Sequence, residues 1–245
     1  MGPPWRPKSV QVSREAAMPL LCIAHRGASA EFPENTLPAF ARALELGADG
    51  IEFDLHLSFD GVLVVIHDET LARTTSGQGR VAEHTAAQLA ELGVPTLEQV
   101  LDLAEGRCLL NLELKGVGTG GALAKWATAR RAAVHSPRNW LVSSFNRKEL
   151  EDFKAGEGMA PLGWLCRRLN AVEIATARQL GAWSVHPGWR GLTSHEVEEA
   201  RKSGFNVIPY TLDTPEQWQR ASDWGCDGVF SNRVEPLLTW RADRS

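Results

Sequence analysis

The sequence predicts an α/β protein, a (β/α)8 TIM barrel in which a hairpin and a small helix are inserted between strand 2 and helix 2. Apolar strand-like runs alternate with helical patterns along the chain, and nine such runs are present. One run follows its predecessor through a turn too short for a parallel crossover. Removing it leaves eight strands, each followed by a helix. A doubly wound open sheet is the alternative arrangement.

The first part of the chain contains the predicted hairpin. An apolar run at residues 20–24 predicts the first strand, and helical spacing of apolar residues then predicts a helix that ends at Gly47. The second strand is predicted at residues 51–57. Asp60-Gly61 is a two-residue turn signal, so residues 62–66 are predicted to return antiparallel. Residues 84–92 predict the small helix of the insertion.

The rest of the chain alternates regularly between strand and helix. Strands are predicted at residues 108–114, 140–145, 162–166, 183–186, 205–212 and 228–231. Helices are predicted at residues 96–105, 122–134, 147–154 and 171–180, from 193 or 194 to 202, from 215, and towards 240. The last strong start signal is Thr214-Pro215-Glu216-Gln217, a capping box with proline at the first helical position.

Length and composition indicate one folded domain. The chain has 245 residues and a formal net charge of -4, with 43% hydrophobic and 23% charged residues, which is ordinary for a globular protein. Residues 1–18 are predicted to be a disordered extension, and residues 19–245 a single barrel domain with its insertion at about 58–94. Mild acidity with scattered Lys and Arg gives no reason to expect nucleic acid as a partner.

Membrane insertion and secretion are not predicted. No apolar run reaches the ~18 to 20 residues that a membrane helix needs, and residues 1–18 contain no apolar segment typical of a secretory signal. The four cysteines lie in or beside apolar runs, and none forms a CxxC pair. They are predicted to be buried free thiols in a reducing compartment, which favours a cytoplasmic location.

Two of the predicted strands carry carboxylates on one face. Glu52 and Asp54 alternate with apolar residues on the second strand, and Glu113 does so on the strand at 108–114. Buried carboxylates need pairing, hydrogen bonds or a metal, and three of them would form an oxygen-rich site for Mg²⁺ or Ca²⁺. The alternative is two half-exposed strands of an antiparallel sheet.

Further polar residues fall where the barrel strands end, which is where active sites of this fold lie. His25 and Arg26 follow the first strand, His67 ends the hairpin strand, and Lys115 follows Glu113. A metal with fixed cations suits a negatively charged substrate, with phosphate as the leading possibility. Histidines transfer protons near neutral pH.

As an ordered set, these motifs resemble the glycerophosphodiester phosphodiesterase family, in particular its small cytoplasmic bacterial members. The resemblance spans residues 20 to about 234 and rests on His25-Arg26-Gly27, Pro33-Glu34-Asn35-Thr36, Glu52-Phe53-Asp54, His67-Asp68, Arg73-Thr74-Thr75 and Asn111-Leu112-Glu113-Leu114-Lys115. It implies a barrel with this insertion, one divalent cation, and hydrolysis of small glycerophosphodiesters to glycerol 3-phosphate and an alcohol. Asn35 is expected only to cap the first helix.

The resemblance also implies roles for individual residues. The metal ligands would be Glu52, Asp54 and Glu113, and the general acid and base would be His25 and His67. Arg26 and Lys115 would contact phosphate, although both are also placed to pair with the carboxylates. Which histidine is the acid stays open, as does the attacking oxygen, which is either a water or the neighbouring glycerol hydroxyl.

The chain departs from the family pattern at its last strand. The family usually has Thr-Asp and a nearby proline there, whereas this chain has Ser231-Asn232-Arg233-Val234. Asparagine is a good helix cap, so the change is expected to affect the loop and substrate preference, not the core reaction. Two other functions are considered: a related barrel enzyme on lysophospholipids, which needs an apolar entrance, and a silent binding module, which would usually lack a histidine or a ligand.

Overall fold

The computed structural model describes residues 19–129 and 139–244. Its strands are β1 (Leu21–His25), β2 (Gly50–Leu57), β3 (Leu63–Val65), β4 (Leu109–Leu114), β5 (Trp140–Ser144), β6 (Leu162–Cys166), β7 (Ser184–Pro187), β8 (Asn206–Val207) and β9 (Gly228–Ser231). They form one sheet in the order β8-β7-β6-β5-β4-β2-β1-β9, with β3 on the side of β2. Every pairing along this path is parallel.

Backbone hydrogen bonds join the two ends of this path. Asp227 donates to Val207 (2.9 Å) and Phe230 donates to Pro209 (3.0 Å), which connects β9 to the β8 segment. Strand β8 is shorter than the predicted 205–212, because Pro209 has no N–H to donate to a sheet. The eight parallel strands therefore form a nearly closed barrel, as the sequence predicts.

Helices follow the barrel strands. They are α1 (Leu37–Leu46), α2 (Ala86–Glu91), α3 (Leu97–Ala104), α4 (Thr119–Ala129), α5 (Arg147–Ala155), α6 (Ala171–Leu180), α7 (Ser194–Lys202), α8 (Pro215–Asp223) and α9 (Val234–Ala242). The predicted capping box is present at α8, where Thr214 accepts from Gln217. Helix α4 begins three residues earlier than predicted, and the rest of the predicted helix, 130–134, lies outside the described residues, as do residues 1–18.

The insertion between β2 and α3 has its own small core. Strand β3 pairs antiparallel with β2, and a cluster of buried apolar side chains lies beneath the loop and α2: Val64, Ile66, Leu71, Val81, Leu89 and Val94. The hairpin loop is longer than the predicted two-residue turn. Ser58 donates to Val62 (3.0 Å) and three residues lie between them, with Gly61 at φ +78°. This positive φ explains the glycine.

The main core lies between the barrel and its helices, and a smaller group fills the barrel interior: Ile23, Leu109, Leu141, Ile208 and Phe230. All four cysteines are buried and free. Burial raises the pKa of each thiol to about 12. Among the described helices, none has the length and apolar character that a bilayer crossing requires.

Candidate active site

A cavity of about 670 Å³ opens at the carboxyl ends of the barrel strands. It brings together residues that are distant in the sequence: His25, Arg26, Glu52, His67, Asn111, Glu113, Lys115, Phe145, Leu165, Arg167, Tyr210 and Phe230. Six of the seven predicted site residues are in this set. The seventh, Asp54, is fully buried beside them.

The three predicted carboxylates meet because β2 and β4 are parallel neighbours. In their register Asp54 lies opposite Glu113, and Glu52 is two residues earlier on the same face as Asp54. One oxygen from each of the three lies within 4.8 Å of the others, and their residues are 3%, 0% and 8% exposed. The alternative of a half-exposed antiparallel sheet is therefore wrong.

Confinement of three carboxylates changes their acidity. Burial, followed by the charges of Asp54 and Glu113, raises the pKa of Glu52 well above its ordinary value. Burial and Asp54 also raise the pKa of Glu113, to about 7. Burial opposes ionisation of Asp54 as well, but Arg26 and Lys115 outweigh it and lower the pKa of that carboxyl. The carboxylate cluster therefore strongly favours the binding of a positive charge.

The donor set fits a hard divalent cation. Glu52 Oε1 and Asp54 Oδ1 are buried and have no hydrogen-bond partner among the described residues. Three converging carboxylates with buried oxygens match the oxygen coordination that Mg²⁺ and Ca²⁺ prefer. A bound cation would also relieve the repulsion that otherwise favours protonation of Glu52 and Glu113.

The two predicted phosphate-binding cations also contact the carboxylates. Arg26 donates its backbone N–H to Glu52 Oε2 (2.9 Å), and its Nε lies 3.4 Å from Asp54 Oδ2. Lys115 Nζ lies 2.8 Å from Glu113 Oε1 and 3.5 Å from Asp54 Oδ1. Both side chains line the cavity, so they lie beside the carboxylates and within reach of a ligand.

His25 is held by a neutral side chain. Its Nδ1 is 2.8 Å from Asn232 Oδ1, and Asn232 donates its amide Nδ2 to Asp213 Oδ2 (2.7 Å). Burial, followed by the charge of Arg26, lowers the pKa of His25 to about 4. Asn232, at which a change in the loop and in substrate preference is expected, contacts His25 because β9 is the neighbour of β1 and its end lies beside His25.

His67 is held by a charged side chain. Its Nδ1 is 2.6 Å from Asp68 Oδ1, and Arg73 contacts both Asp68 and Glu34. Hydrogen bonding from Arg73 is the main cause that lowers the pKa of Asp68. Glu34 also pairs with Arg26 (2.9 Å). An ion-pair chain therefore runs from His67 across the rim of the cavity to the β1 side.

Some residues near the site were given no functional role by the sequence. Asn35, expected only to cap α1, donates to Asp54 Oδ2 (2.8 Å), and Thr36 is the cap instead. Asn111 lines the cavity and its Oδ1 has no partner among the described residues. Asn111 lies two residues before Glu113 on β4, so the alternation of side chains along a strand places both on the same face. No sequence pattern indicated a role for Asp213 in the site.

Comparison with protein families agrees with this geometry. Residues 25–236 match the model of the Glycerophosphoryl diester phosphodiesterase family. A glycerophosphodiester phosphodiesterase of Caldanaerobacter subterraneus subsp. tengcongensis is 35% identical over 236 residues, covering 90% of this chain and 97% of that protein. A glycerophosphodiester phosphodiesterase of Bacillus subtilis is 30% identical over 244 residues, covering 87% and 83%.

Solved structures show the same architecture. A phosphodiesterase of Oleispira antarctica in complex with the product sn-glycerol-3-phosphate superposes with a TM-score of 0.83 at 26% identity, covering 91% of this chain and 96% of that one. A glycerophosphodiester phosphodiesterase of Thermotoga maritima gives 0.78 at 29% identity, covering 90% and 97%. Both matches extend over nearly the whole of each chain.

Proposed function

Because the chain belongs to the glycerophosphoryl diester phosphodiesterase family and is an enzyme that hydrolyses glycerophosphodiesters, we propose that its products are glycerol 3-phosphate and an alcohol. We further propose two-histidine acid/base catalysis that depends on one divalent cation, Mg²⁺ or Ca²⁺. One observation carries this proposal: two histidines with different Nδ1 partners share a cavity with a cluster of buried carboxylates. The cluster supports the cation, and the histidines support proton transfer at the phosphate.

Glu52, Asp54 and Glu113 would hold the cation. When bound, it supplies electrostatic stabilisation of the negative charge that develops on the phosphate oxygens. The cationic groups of Arg26 and Lys115 line the same cavity and would bind the non-bridging oxygens by charge-assisted hydrogen bonds. These contacts orient the phosphodiester between the two sides of the barrel mouth.

The different partners of the two histidines support a different role for each. Asn232 donates its amide Nδ2 to Asp213. The Oδ1 of Asn232 therefore accepts from His25, and the proton of His25 lies on Nδ1. His25 Nε2 then has a free lone pair and acts as the base towards the attacking oxygen. His67 faces a carboxylate, so its imidazolium form is ion-paired with Asp68, and it gives a proton to the leaving alkoxide. Such transfers contribute about 10²- to 10⁴-fold.

The kind of partner that the enzyme binds and its cellular location are part of the same proposal. A cavity with fixed cations suits a small, anionic glycerophosphodiester, and the mild net negative charge of the chain gives no reason to expect nucleic acid as a partner. We place the enzyme in the cytoplasm without stable membrane insertion. Four buried free thiols support a reducing compartment.

The direct test is hydrolysis of glycerophosphocholine with identification of glycerol 3-phosphate, with and without EDTA. Wild-type enzyme should release it, EDTA should abolish release, and Mg²⁺ or Ca²⁺ should restore it. Glu113→Gln should lose the cation-restored activity while it keeps its thermal unfolding midpoint within a few degrees. The exposed Glu151→Gln on α5 is the matched control. Full activity in EDTA, or in Glu113→Gln, would contradict the proposal.

A further inference from the structure

A second groove, of about 470 Å³, lies beside the catalytic cavity. The two share Phe145, Leu165 and Arg167 as common walls. The groove continues along the end of β6 and the start of α6, where its remaining lining residues are Trp164, Cys166, Arg168, Asn170 and Glu173. A ligand that extends from the catalytic cavity past Phe145 therefore enters this groove.

Phe145 connects the groove to the reaction centre. Lys115 Nζ lies 5.7 Å from the centroid of the Phe145 ring and 2.8 Å from Glu113 Oε1. Tyr210 packs edge-on against the same Phe145 ring, with ring centroids 5.8 Å apart. The ring is thus separated from the acidic cluster by one side chain. A phosphodiester bound at Lys115 has one of its two ester groups within reach of the groove.

The groove presents two exposed guanidinium groups that are not committed elsewhere. Within residues 19–129 and 139–244, neither Arg167 nor Arg168 forms a side-chain ion pair or hydrogen bond. By contrast, the one acidic residue of the groove, Glu173, accepts from Trp164 Nε1 (2.6 Å). Free guanidinium groups recognise carboxylates through paired N–H donors.

We propose that this groove is a subsite for the alcohol half of the substrate, and that it favours alcohols bearing a carboxylate. The inference rests on the proposed function, because the groove selects an alcohol only when the phosphate occupies the adjoining cavity. Arg167, which lines both spaces, is the first contact for the carboxylate, and Arg168 extends the positive charge outward. Phe145 supplies the apolar wall between phosphate and alcohol.

Two substrates that differ by a single carboxylate test this subsite. Glycerophosphoserine and glycerophosphoethanolamine share every other group, so the ratio of their kcat/KM values isolates recognition of the carboxylate. Wild-type enzyme should prefer the serine diester by about threefold to tenfold, the effect expected of one exposed charge-assisted contact. Arg167→Gln and Arg168→Gln should each lower the ratio, and the double variant should bring it close to one.

The matched control is Arg178→Gln, which removes an exposed arginine from the far end of α6. It should keep the wild-type ratio. Equal kcat/KM for the two diesters in wild type, or an unchanged preference in the double variant, would overturn the subsite and leave the hydrolase function standing. Failure to hydrolyse either diester would overturn the proposed function and the subsite together.

Discussion

At the scale of single residues, the central feature is the difference between the two histidines. His25 bonds to the neutral amide of Asn232, and His67 bonds to the carboxylate of Asp68. Each acceptor fixes the orientation of its imidazole, and only the acceptor of His67 carries a formal charge. Asp213 holds Asn232 through both its backbone N–H (2.8 Å) and its amide (2.7 Å). The carboxylate of Asp213 is therefore linked to His25 through the neutral amide of Asn232.

Removal of the acceptor on His25 should slow the reaction. Asn232→Leu has a similar size but cannot bond to Nδ1, so the imidazole is free to rotate and to change tautomer. We expect kcat to fall by about 10- to 100-fold, with a much smaller change in KM, because proton transfer depends on the orientation of the base. Steady-state kinetics on glycerophosphocholine measure both constants.

The conservative variant Asn232→Asp serves as the control for this prediction. It keeps an oxygen acceptor for His25 Nδ1 and should retain much more activity than Asn232→Leu. If Asn232→Leu has the kcat of wild type while its unfolding midpoint is also unchanged, Asn232 does not position His25.

At the scale of elements, β6 and β7 show how the barrel interior supports the site. His186 on β7 is fully buried, bonds to Ser184 (2.8 Å), and packs at 5.0 Å between ring centroids against Phe230 at the cavity floor. Gly163 on β6 makes room for it, since a Cβ there would lie 2.5 Å from the imidazole. Burial lowers the pKa of His186 to about 3, so the native state holds it neutral.

This burial predicts a loss of stability in acid. Between about pH 6.5, the ordinary histidine value, and about pH 3, the unfolded chain binds a proton at residue 186 that the native state does not bind. The free energy of unfolding should therefore fall as pH decreases, by about 1.4 kcal/mol per pH unit for this one group. His186→Gln should show a correspondingly shallower decline in urea denaturation at pH 6.0, 5.5 and 5.0.

The exposed His195→Gln on α7 is the matched control for this experiment. Comparison of variants with wild type cancels the opposite contributions of Glu52 and Glu113, whose raised pKa values favour the native state in acid. Parallel pH profiles for wild type and His186→Gln would show that protonation of His186 does not limit stability.

At the scale of the whole molecule, periodicity was sufficient to predict the barrel and the face on which its acids lie. Apolar alternation on β2 and β4 predicted that Glu52, Asp54 and Glu113 point away from the packed face, and parallel pairing brought them together. The Asp60-Gly61 signal predicted the reversal of the chain but not the loop length, which depends on how the insertion packs against β2.

Contacts between distant parts of the chain could not be read from local patterns. Asn35 looked like a helix cap because it precedes α1, but its side chain reaches Asp54 on the next strand. Asn232 also looked like a cap, and its contact with His25 arises only because the last strand of the barrel lies beside the first. Closure of the barrel is a property of the whole fold, so its consequences appear only in three dimensions.

An experiment that separates the two histidine roles tests the proposed mechanism most directly. Each His→Ala variant is compared on glycerophosphocholine and on a nitrophenyl phosphodiester, whose phenolate leaves without a proton. His67→Ala should be severely impaired on the first substrate and partly recover on the second, because the acid is then dispensable. His25→Ala should remain severely impaired on both. Near-wild-type rates of either variant on glycerophosphocholine, or recovery of His25→Ala alone, would contradict the assignment.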